Sequence, residues 1–383
     1  MKDKLIKKIE ELKDKYLEIW KEVCEIESPT SSKMGVDSVG KYFISMAEER
    51  GWHVEIFPQE RAGDVVKITM NKDSTAEPIA LSGHMDTVHR IGAFGYPAVK
   101  IEGDKIYGPG VTDCKGGIVA GFLAMDALRE CGFTSRPVIM YLQSDEEGGG
   151  KYSNDATINY ICEDAKGSIA FLNLEDGKKD KIVIGRKGIA TFEFTLKGVT
   201  AHAAACAVQG SNAIAEAAYK IIELEKFKNN EGLTVSCTVI NGGTVHNIVP
   251  DECKFLANVR FAKMSELDEF RKYVEELCND IKVPGCTCTA VLPRVRPAME
   301  WSDKNLTLAN KMNDIWREAG LGELTPCESL GGTDAAFASS AGIPSVDALG
   351  VLGGSVHTIN EFGIISSLAP QALRIALAVA FIK

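Results

Sequence analysis

The segment "LSGHMDTV" (Leu81–Val88) joins a short apolar run to a histidine and an aspartate that stand two residues apart. His84 and Asp86 therefore come directly after an apparent strand, "PIALSG" (78–83). Such a pair is either an ordinary polar turn or the start of a reactive site. A His-x-Asp triplet arises often by chance, so residues elsewhere in the chain have to decide between the two interpretations.

The neighbouring segments predict the fold around this strand. Further apolar, β-rich runs cover 65–70, 137–143 and 168–174, and a helical pattern follows a glycine pair over 116–131. Strands that alternate with helices predict an α/β domain, here with helices on both faces of a mixed sheet.

The pattern changes near residue 185, where alternation of apolar and polar residues becomes regular. Strands are predicted over 191–198, 234–243, 252–261 and 285–293, with helices over about 211–226 and 265–281. This order predicts an inserted, ferredoxin-like α+β domain with a sheet covered on one face. From about 298 the chain returns to helix, then a strand (343–350) and a final helix (367–382). We therefore predict a discontinuous domain, 1–186 with 298–383, and an inserted domain, 187–297.

Composition excludes several classes of partner. The formal net charge is -10 and the pI is near 5.3, whereas nucleic acids and anionic membranes select basic surfaces. No apolar run approaches the roughly 20 residues of a membrane span. The N-terminal segment lacks a signal-peptide core, and Leu5, Ile9, Leu12 and Tyr16 have the spacing of an amphipathic helix. The eleven cysteines contain no CxxC pair, which is typical of reduced thiols and predicts a cytoplasmic protein.

Potential metal ligands follow several of the predicted strands. They are His84 after 78–83, Glu146 and Glu147 after 137–143, Glu175 after 168–174, Asp113 before the 116–131 helix, and His357 after "GVLGGSV". Taken singly, each has a plain structural explanation, such as a helix N-terminal carboxylate or a solvated turn. The carboxyl ends of strands meet at one edge of an open α/β sheet, however, so these groups are expected to converge.

Two histidines and three carboxylates suit a pair of divalent ions bridged by one carboxylate. This donor set favours zinc, with cobalt and manganese as alternatives. One glutamate of the Glu146–Glu147 pair then remains free to act on water. Asp86, two residues after His84, is placed to orient the imidazole.

At this point the chain resembles a known superfamily. The motifs "SGHMDTV", "GPGVTDCKGG", "SDEEGG", "LNLEDG", "KGVTAHAA", "GGTVHNIVPDE", "NVRF", "GGTDAAFASSAGIP" and "VHTINEF" occur over about 78–362. Their order is similar to that of the dinuclear zinc exopeptidases and deacylases, which include carboxypeptidase G, aminotripeptidase and acetylornithine deacetylase.

The resemblance implies that the discontinuous domain, 1–186 with 298–383, is the catalytic, metal-binding domain. It implies five metal ligands, namely His84, Asp113, Glu147, Glu175 and His357, with Asp113 bridging. Glu146 matches the general base, which takes a proton from water and returns it to the leaving amine. The resemblance also implies a cis peptide between Asp113 and Cys114, with the thiol itself a bystander.

For the inserted domain the resemblance implies a lid that also forms a homodimer. His202 matches a histidine that stabilises the oxyanion in a neighbouring subunit. Asn247 and Arg260 match positions that hold the substrate carboxylate, which the planar guanidinium suits. The family often has an acidic residue two positions before this arginine, and here Asn258 stands there.

Three functions remain open from the sequence. The first is a metal-dependent exopeptidase for small peptides or N-acyl amino acids, carboxypeptidase G-like or tripeptidase-like. The second is an N-acyl amino acid deacylase that uses the same chemistry, and the third is a non-catalytic metal-binding module. The presence of all five ligands and of Glu146 favours an enzyme. The sequence of residues 184–204 resembles the carboxypeptidase G and tripeptidase members more than acetylornithine deacetylase, which favours the peptidase.

Overall fold

The structure, a computed structural model, describes residues 1–383. The helices are α1 Lys2–Glu25, α2 Lys33–Glu49, α3 Lys115–Glu130, α4 Ala156–Asp164, α5 Ala213–Leu224, α6 Met264–Asn279, α7 Asp303–Glu318, α8 Ala335–Ser340 and α9 Leu368–Phe381. The strands are β1 His53–Phe57, β2 Val65–Met70, β3 Ile79–His84, β4 Lys100–Glu102, β5 Lys105–Tyr107, β6 Val138–Gln143, β7 Ala170–Asn173, β8 Lys181–Arg186, β9 Gly188–Lys197, β10 Thr234–Gly242, β11 Glu252–Phe261, β12 Thr287–Val291, β13 Val295–Arg296, β14 Thr325–Ser329, β15 Ser345–Val346, β16 Gly353–Gly354 and β17 Phe362–Ile364.

The chain divides into two compact units. The first consists of 1–185, 301–328 and 333–383, and the second of 186–300 with the short segment 329–332. That four-residue segment has no counterpart in the sequence-based boundaries, because so short an excursion leaves no mark in composition or periodicity. No helix of the chain has both the length and the apolar character needed to cross a membrane.

A six-stranded sheet organises the first unit, in the order β1-β2-β6-β3-β7-β15. Strands β6, β3, β7 and β15 run parallel, whereas β2 is antiparallel to β6 and β1 to β2. The prediction of a mixed sheet is therefore confirmed. Parallel neighbours carry their carboxyl ends to the same edge, and that edge becomes important for the site.

Helices cover both faces of this sheet. Every residue of β3 and β6 is buried, as the unbroken apolar runs predict for strands with no solvent-exposed face. Leu81 and Met140 pack in a cluster with residues of α1, α3 and α9, while Ala80 and Tyr141 pack in a second cluster with residues of α4 and α8. Because adjacent strand residues point to opposite faces, the two clusters lie on opposite sides of the sheet.

The strand predicted over 343–350 is much shorter in the structure. Only Ser345–Val346 pair with β7. The backbone then leaves β7: Asp347 forms an isolated antiparallel bridge with Val183, and its buried carboxylate accepts hydrogen bonds from Asn173 and from the backbone N–H of Ala348, whose φ is positive. A buried polar group that binds its own backbone competes with strand pairing, and an apolar pattern does not reveal this.

A small accessory sheet was not predicted. Its order is β16-β17-β5-β4, and its strands have only two or three residues each. Gly353 and Gly354 of β16 pair with Gly363 and Phe362 of β17, so the intervening residues 355–361 form a closed loop. This loop carries His357.

The second unit has a four-stranded antiparallel sheet in the order β10-β11-β9-β12, with β13 pairing further along β9. With α5 after β9 and α6 after β11, this is the strand order of a ferredoxin-like fold. Buried residues alternate along β9 and β11, and Phe192, Phe194, Phe255 and Phe270 form the centre of the core. The alternation identifies one covered face, as predicted.

Candidate metal centre

Three adjacent strands bring three of the five predicted ligands, His84, Glu147 and Glu175, to one edge of the main sheet. His84 is the last residue of β3, directly opposite Gln143 at the end of β6, and Ser82 lies opposite Asn173 at the end of β7. The chain continues from β6 to Glu147 and from β7 to Glu175. The sequence-based expectation that these strand ends converge is met by this register.

Asp113 lies between the two histidines. Its Oδ1 is 3.0 Å from Nε2 of His84, and its Oδ2 is 3.2 Å from Nε2 of His357. The carboxylate thus directs one oxygen to each imidazole, which is the arrangement required of a bridging ligand. His357, with φ of 64°, is the most exposed of the five predicted ligands, at 55 % of its side chain.

Each histidine also meets a second carboxylate. Nε2 of His84 is 3.7 Å from Oε1 of Glu175, and Nε2 of His357 is 3.2 Å from Oε2 of Glu147. Donor atoms of His84, Asp113 and Glu147 lie within 4.8 Å of one another. The five side chains therefore form two overlapping groups that share Asp113, each with one histidine and one glutamate.

Asp86 contacts the His84 ring and also holds the paired glutamates. The His84 ring approaches the backbone carbonyl of Asp86 more closely (2.9 Å from Nδ1) than its carboxylate (3.5 Å). A carbonyl can only accept, so Nδ1 of His84 carries hydrogen and Nε2 faces the other ligands. The Asp86 carboxylate also accepts the Thr30 hydroxyl and the backbone N–H groups of Glu146 and Glu147. It thereby fixes the paired glutamates.

The electrostatics of the cluster favour bound positive charge. Burial raises the pKa of Glu147 to about 7, and burial together with the Asp113 charge raises that of Glu175 well above its usual range. Burial opposes ionisation of Asp113, but hydrogen bonds to His357 and His84 hold its pKa far below the usual value. Hydrogen bonds to Asp113 and Glu147 raise the pKa of His357 to about 11. The raised pKa values of Glu147, Glu175 and His357 mean that these groups hold protons strongly, and a divalent cation would relieve the same repulsion between the carboxylates.

Cys114 is fully buried beside this cluster. Its sulfur accepts the backbone N–H of His84 at 3.0 Å and lies within 4.8 Å of donor atoms of His84 and Glu175. Burial raises the pKa of the thiol, which keeps it protonated and unreactive. The peptide between Asp113 and Cys114 is cis, as the resemblance implied.

Sequence reasoning missed two buried residues next to the Asp113 turn. Glu361 is 1 % exposed, and its carboxylate accepts the backbone N–H groups of Thr112 and Asp113. His89 is also buried and lies 2.7 Å from the same carboxylate through Nε2. The position of Glu361 four residues after His357, in "VHTINEF", is the signal that could have identified it.

The remaining predicted residues lie in the second unit. His202 precedes a short 3₁₀ turn, and Nδ1 of its ring accepts the backbone N–H of Ala204. Asn247 lies on the adjacent segment, where its carbonyl accepts the N–H of Ala203. Arg260, near the end of β11, donates from Nε to the Asn258 side chain at 3.0 Å. The amide of Asn258 therefore supports the guanidinium where the family often has a carboxylate.

Comparison with known proteins gives concordant results. Residues 184–286 match the model of a peptidase dimerisation domain. Carboxypeptidase G2 from Pseudomonas sp. (strain RS-16) is 30% identical over 365 residues, which cover 92% of this chain and 86% of that protein. Succinyl-diaminopimelate desuccinylase from Sulfurimonas denitrificans is 27% identical over 76% of this chain and 80% of its own. A tripeptidase from Staphylococcus aureus has a similar fold, with a TM-score of 0.77, 23% identity and coverage of 96% and 98%.

The identity to carboxypeptidase G2 extends over nearly the whole chain and includes both units. The desuccinylase match and the dimerisation-domain model agree with it. The donor groups at the strand ends supply the ligands that a metal-dependent amide hydrolase needs. The chain therefore belongs to the M20 family of metallopeptidases and is a metal-dependent exopeptidase or deacylase.

Proposed function

We propose that the protein is a dinuclear exopeptidase that releases a terminal residue from small peptides, with carboxypeptidase G-like or tripeptidase-like specificity. The observation that carries this proposal is the Asp113 carboxylate, whose two oxygens face two different imidazoles. The identity to carboxypeptidase G2 supports the peptidase assignment. A cytoplasmic location remains the prediction from composition.

The donor set fits two divalent ions. His84 and Glu175 would hold one ion, His357 and Glu147 the other, and Asp113 would bridge them. Imidazole with carboxylate is a ligand combination that zinc prefers, and cobalt or manganese are the alternatives. Bound there, the ions would polarise the scissile carbonyl and activate water near neutral pH.

Glu146 is the general base of this proposal. Its side chain is 7 % exposed, and its backbone N–H is held by the Asp86 carboxylate at 3.2 Å. The carboxylate of Glu146 takes the proton of the attacking water and passes it to the nitrogen of the leaving amine. Asp86 acts by positioning, since it also holds the neighbouring ligand Glu147.

The inserted unit supplies substrate contacts in this proposal. Because Nδ1 of His202 accepts a hydrogen bond, the neutral ring carries its hydrogen on Nε2, where it can donate to an oxyanion. Burial and the nearby Arg296 lower the pKa of Arg260, which indicates concentrated positive charge suited to a substrate carboxylate. Asn247 adds an amide contact. We propose residues 187–297 as lid and dimerisation domain of a homodimer, which the dimerisation-domain match supports.

A second candidate is an N-acyl amino acid deacylase, favoured by the match to succinyl-diaminopimelate desuccinylase. Both reactions hydrolyse an amide with an activated water, so the same ligands and base serve either one. The two candidates differ in the acyl group that the pocket admits. A module that binds metal without catalysis is disfavoured by the complete set of ligands together with Glu146.

A substrate panel tests the proposal. Protein loaded with zinc, cobalt or manganese is offered dipeptides, tripeptides, folate-like glutamyl amides and N-acetyl amino acids, and released amino acids are quantified. Peptides with free termini should be the best substrates by kcat/KM. Faster cleavage of N-acyl amino acids would select the deacylase instead, and no hydrolysis by protein carrying two ions per chain would refute both.

Paired variants test the assignment of the two glutamates. Glu146→Gln should lower kcat by at least about a hundredfold with metal content unchanged, because the amide cannot take a proton. Glu147→Gln should lose metal first. Glu163→Gln, on an exposed position of α4, is the control. An active Glu146→Gln protein would show that the base lies elsewhere.

A further inference from the structure

The carboxylate of Glu361 lies beneath the turn that presents the proposed bridging ligand. Its Oε1 accepts the backbone N–H groups of Thr112 (3.0 Å) and Asp113 (3.2 Å). Its Oε2 accepts the N–H of Gly110 at 3.3 Å and faces Nε2 of His89 at 2.7 Å. One fully buried side chain thus contacts four groups, three of them along a single turn.

The same residue belongs to the loop that carries His357. Residues 355–361 lie between the paired strands β16 and β17, and the backbone carbonyl of Glu361 accepts the N–H of Gly108. Glu361 therefore links the Asp113 turn to the His357 loop through both its side chain and its backbone. These two elements are far apart in sequence, so this link constrains Asp113 through its backbone, in addition to the direct contact between the Asp113 and His357 side chains.

We infer that Glu361, with His89 behind it, is a positioning residue that sets the orientation of Asp113 between the two histidines. It acts through the backbone of the turn and does not itself contact a metal or substrate. A bridging carboxylate must direct its two oxygens to two centres at once, so a small rotation of the turn would weaken both. Partners of this kind typically change metal affinity by about 10–100-fold when removed.

This inference rests on the proposed metal centre, and cobalt binding tests it without reference to catalysis. Metal-free wild-type protein and variants are titrated with Co²⁺, and the visible absorption reports affinity and coordination geometry. Glu361→Ala should bind Co²⁺ at least about tenfold more weakly and with an altered spectrum. Glu361→Gln retains one oxygen for Thr112 and Asp113 and should recover most of the affinity.

Glu216→Ala is the matched control. Glu216 is also fully buried, and it accepts two backbone N–H groups, those of Lys282 and Val283, in the second unit. Its loss should lower the melting temperature without changing the cobalt spectrum. If Glu361→Ala does not fold, Glu361→Asp decides, because it keeps the charge but is too short to reach the same groups.

The outcomes are distinguishable. Wild-type affinity and spectrum in Glu361→Ala or Glu361→Asp would overturn the inference while leaving the metal centre intact, as would a Glu361→Gln protein no better than Glu361→Ala. Wild-type protein that binds no Co²⁺ would overturn the metal centre as well.

An independent feature lies in the second unit, where two thiols are adjacent. Cys278 lies in the last turn of α6 and Cys288 in β12, and the Cys288 thiol donates to the Cys278 sulfur at 3.4 Å. Both side chains are partly exposed. The hydrogen bond from Cys288, with the charge of Lys220, lowers the pKa of Cys278 and so favours its thiolate.

The connection between the two cysteines is anchored from α5. Glu216 and Lys220 form a fully buried ion pair at 2.8 Å. Lys220 donates to the backbone carbonyl of Asp280, and Glu216 accepts the N–H groups of Lys282 and Val283. The loop therefore holds the sulfurs near each other by contacts that do not involve the sulfurs themselves.

We propose that Cys278 and Cys288 are a site of reversible oxidation to a disulfide by hydroperoxides. The Cys278 thiolate attacks a peroxide oxygen, which forms a sulfenic acid and releases hydroxide or alkoxide. The Cys288 thiol then attacks that sulfur, forms the S–S bond and releases water. Two electrons pass from the thiols to the peroxide, and a thiol reductant reverses the change.

Thiol counting on the full-length protein tests this site. After limited treatment with hydrogen peroxide, wild-type protein should lose two of its eleven thiols, and peptide mapping should identify the 278–288 link. Cys278→Ser should lose none by this route, while Cys206→Ser, at the exposed cysteine, should behave as wild type. A link between other cysteines, or intact thiols at 278 and 288 when Cys206 is already oxidised, would overturn the proposal.

Discussion

Gly117 is the position where one added methyl group should disturb the metal site most clearly. It lies in the first turn of α3, and a Cβ built there falls 1.8 Å from the backbone oxygen of Leu174. Contacts below 3.0 Å are essentially never seen for Cβ atoms. The helix and the strand end must therefore separate by about 1.2 Å (3.0 minus 1.8) in Gly117→Ala.

The expected cost follows from two opposing effects. Alanine in place of a helical glycine would by itself stabilise by about 0.5–1 kcal/mol. Overpacking a rigid contact costs about 1–3 kcal/mol, and here the obstacle is backbone, which cannot rotate away. We expect net destabilisation of about 1–2 kcal/mol, which lowers the melting temperature by several degrees.

The functional loss should exceed the loss of stability. Leu174 directly precedes the ligand Glu175, and α3 begins directly after Asp113 and Cys114, so the displacement moves two proposed ligands apart. A misplacement of about 1 Å can cost about a hundredfold in rate. Calorimetry, metal analysis and kcat/KM on the folded protein measure the three quantities.

Gly322→Ala is the matched control for this experiment. Nothing lies within 4 Å of a Cβ at Gly322, and its φ is outside the left-handed region. This variant should melt and hydrolyse substrate like the wild type. A Gly117→Ala protein indistinguishable from it in melting temperature, metal content and activity would refute the packing argument.

Three further predictions concern metal, charge and assembly. Removal of divalent ions by a chelator should lower the unfolding free energy, and free ion at a hundred times its Kd should restore about 2.7 kcal/mol in calorimetry. Burial opposes ionisation of Asp126, but hydrogen bonds from Arg50 and Tyr16 lower its pKa in the folded protein. The ionised Asp126 therefore stabilises the folded state fully above the unfolded pKa of about 3.9, and this contribution is lost as pH falls through the lower folded pKa. Asp126→Asn should thus cost about 3 kcal/mol at neutral pH and little in acid, by urea denaturation. Mixed Glu146→Gln and His202→Ala proteins should regain partial activity if His202 acts across a homodimer, and no recovery despite proven subunit exchange would contradict this.

The main elements were predictable because their signals are periodic. The apolar runs of β3 and β6 are long enough to identify buried strands, and the regular alternation in β9 and β11 separated the second unit from the first. His84 and Glu175 follow such runs, so their meeting at a sheet edge could be expected from the parallel order. These are features that each segment carries within itself.

Other features depend on contacts that no segment carries alone. The strands β16 and β17 are too short to show a period, yet they hold the loop of His357. The role of Glu361 depends on contacts with His89 and with residues 108–113, and the latter lie some 250 positions earlier in the chain. The Asp86 carboxylate holds the paired glutamates and not primarily the His84 ring, which depends on distances that spacing does not give.

The order of strands accounts for a pair of metal positions at this edge. In the strand order β6-β3-β7, His84 lies at the end of the central strand β3. Glu147 follows the end of β6 on one side, and Glu175 follows the end of β7 on the other. Adjacent strands are about 4.8 Å apart, and paired catalytic ions are typically about 3.5–4 Å apart, so donors from opposite flanks would suit two neighbouring ions. Asp113 lies two residues before α3 and directs one carboxylate oxygen to His84 and the other to His357. A one-residue slip of β3 would turn His84 to the other face of the sheet and remove it from Asp113. The placement of these candidate ligands is thus a consequence of strand pairing, and the core that fixes the register of β3 also fixes their positions.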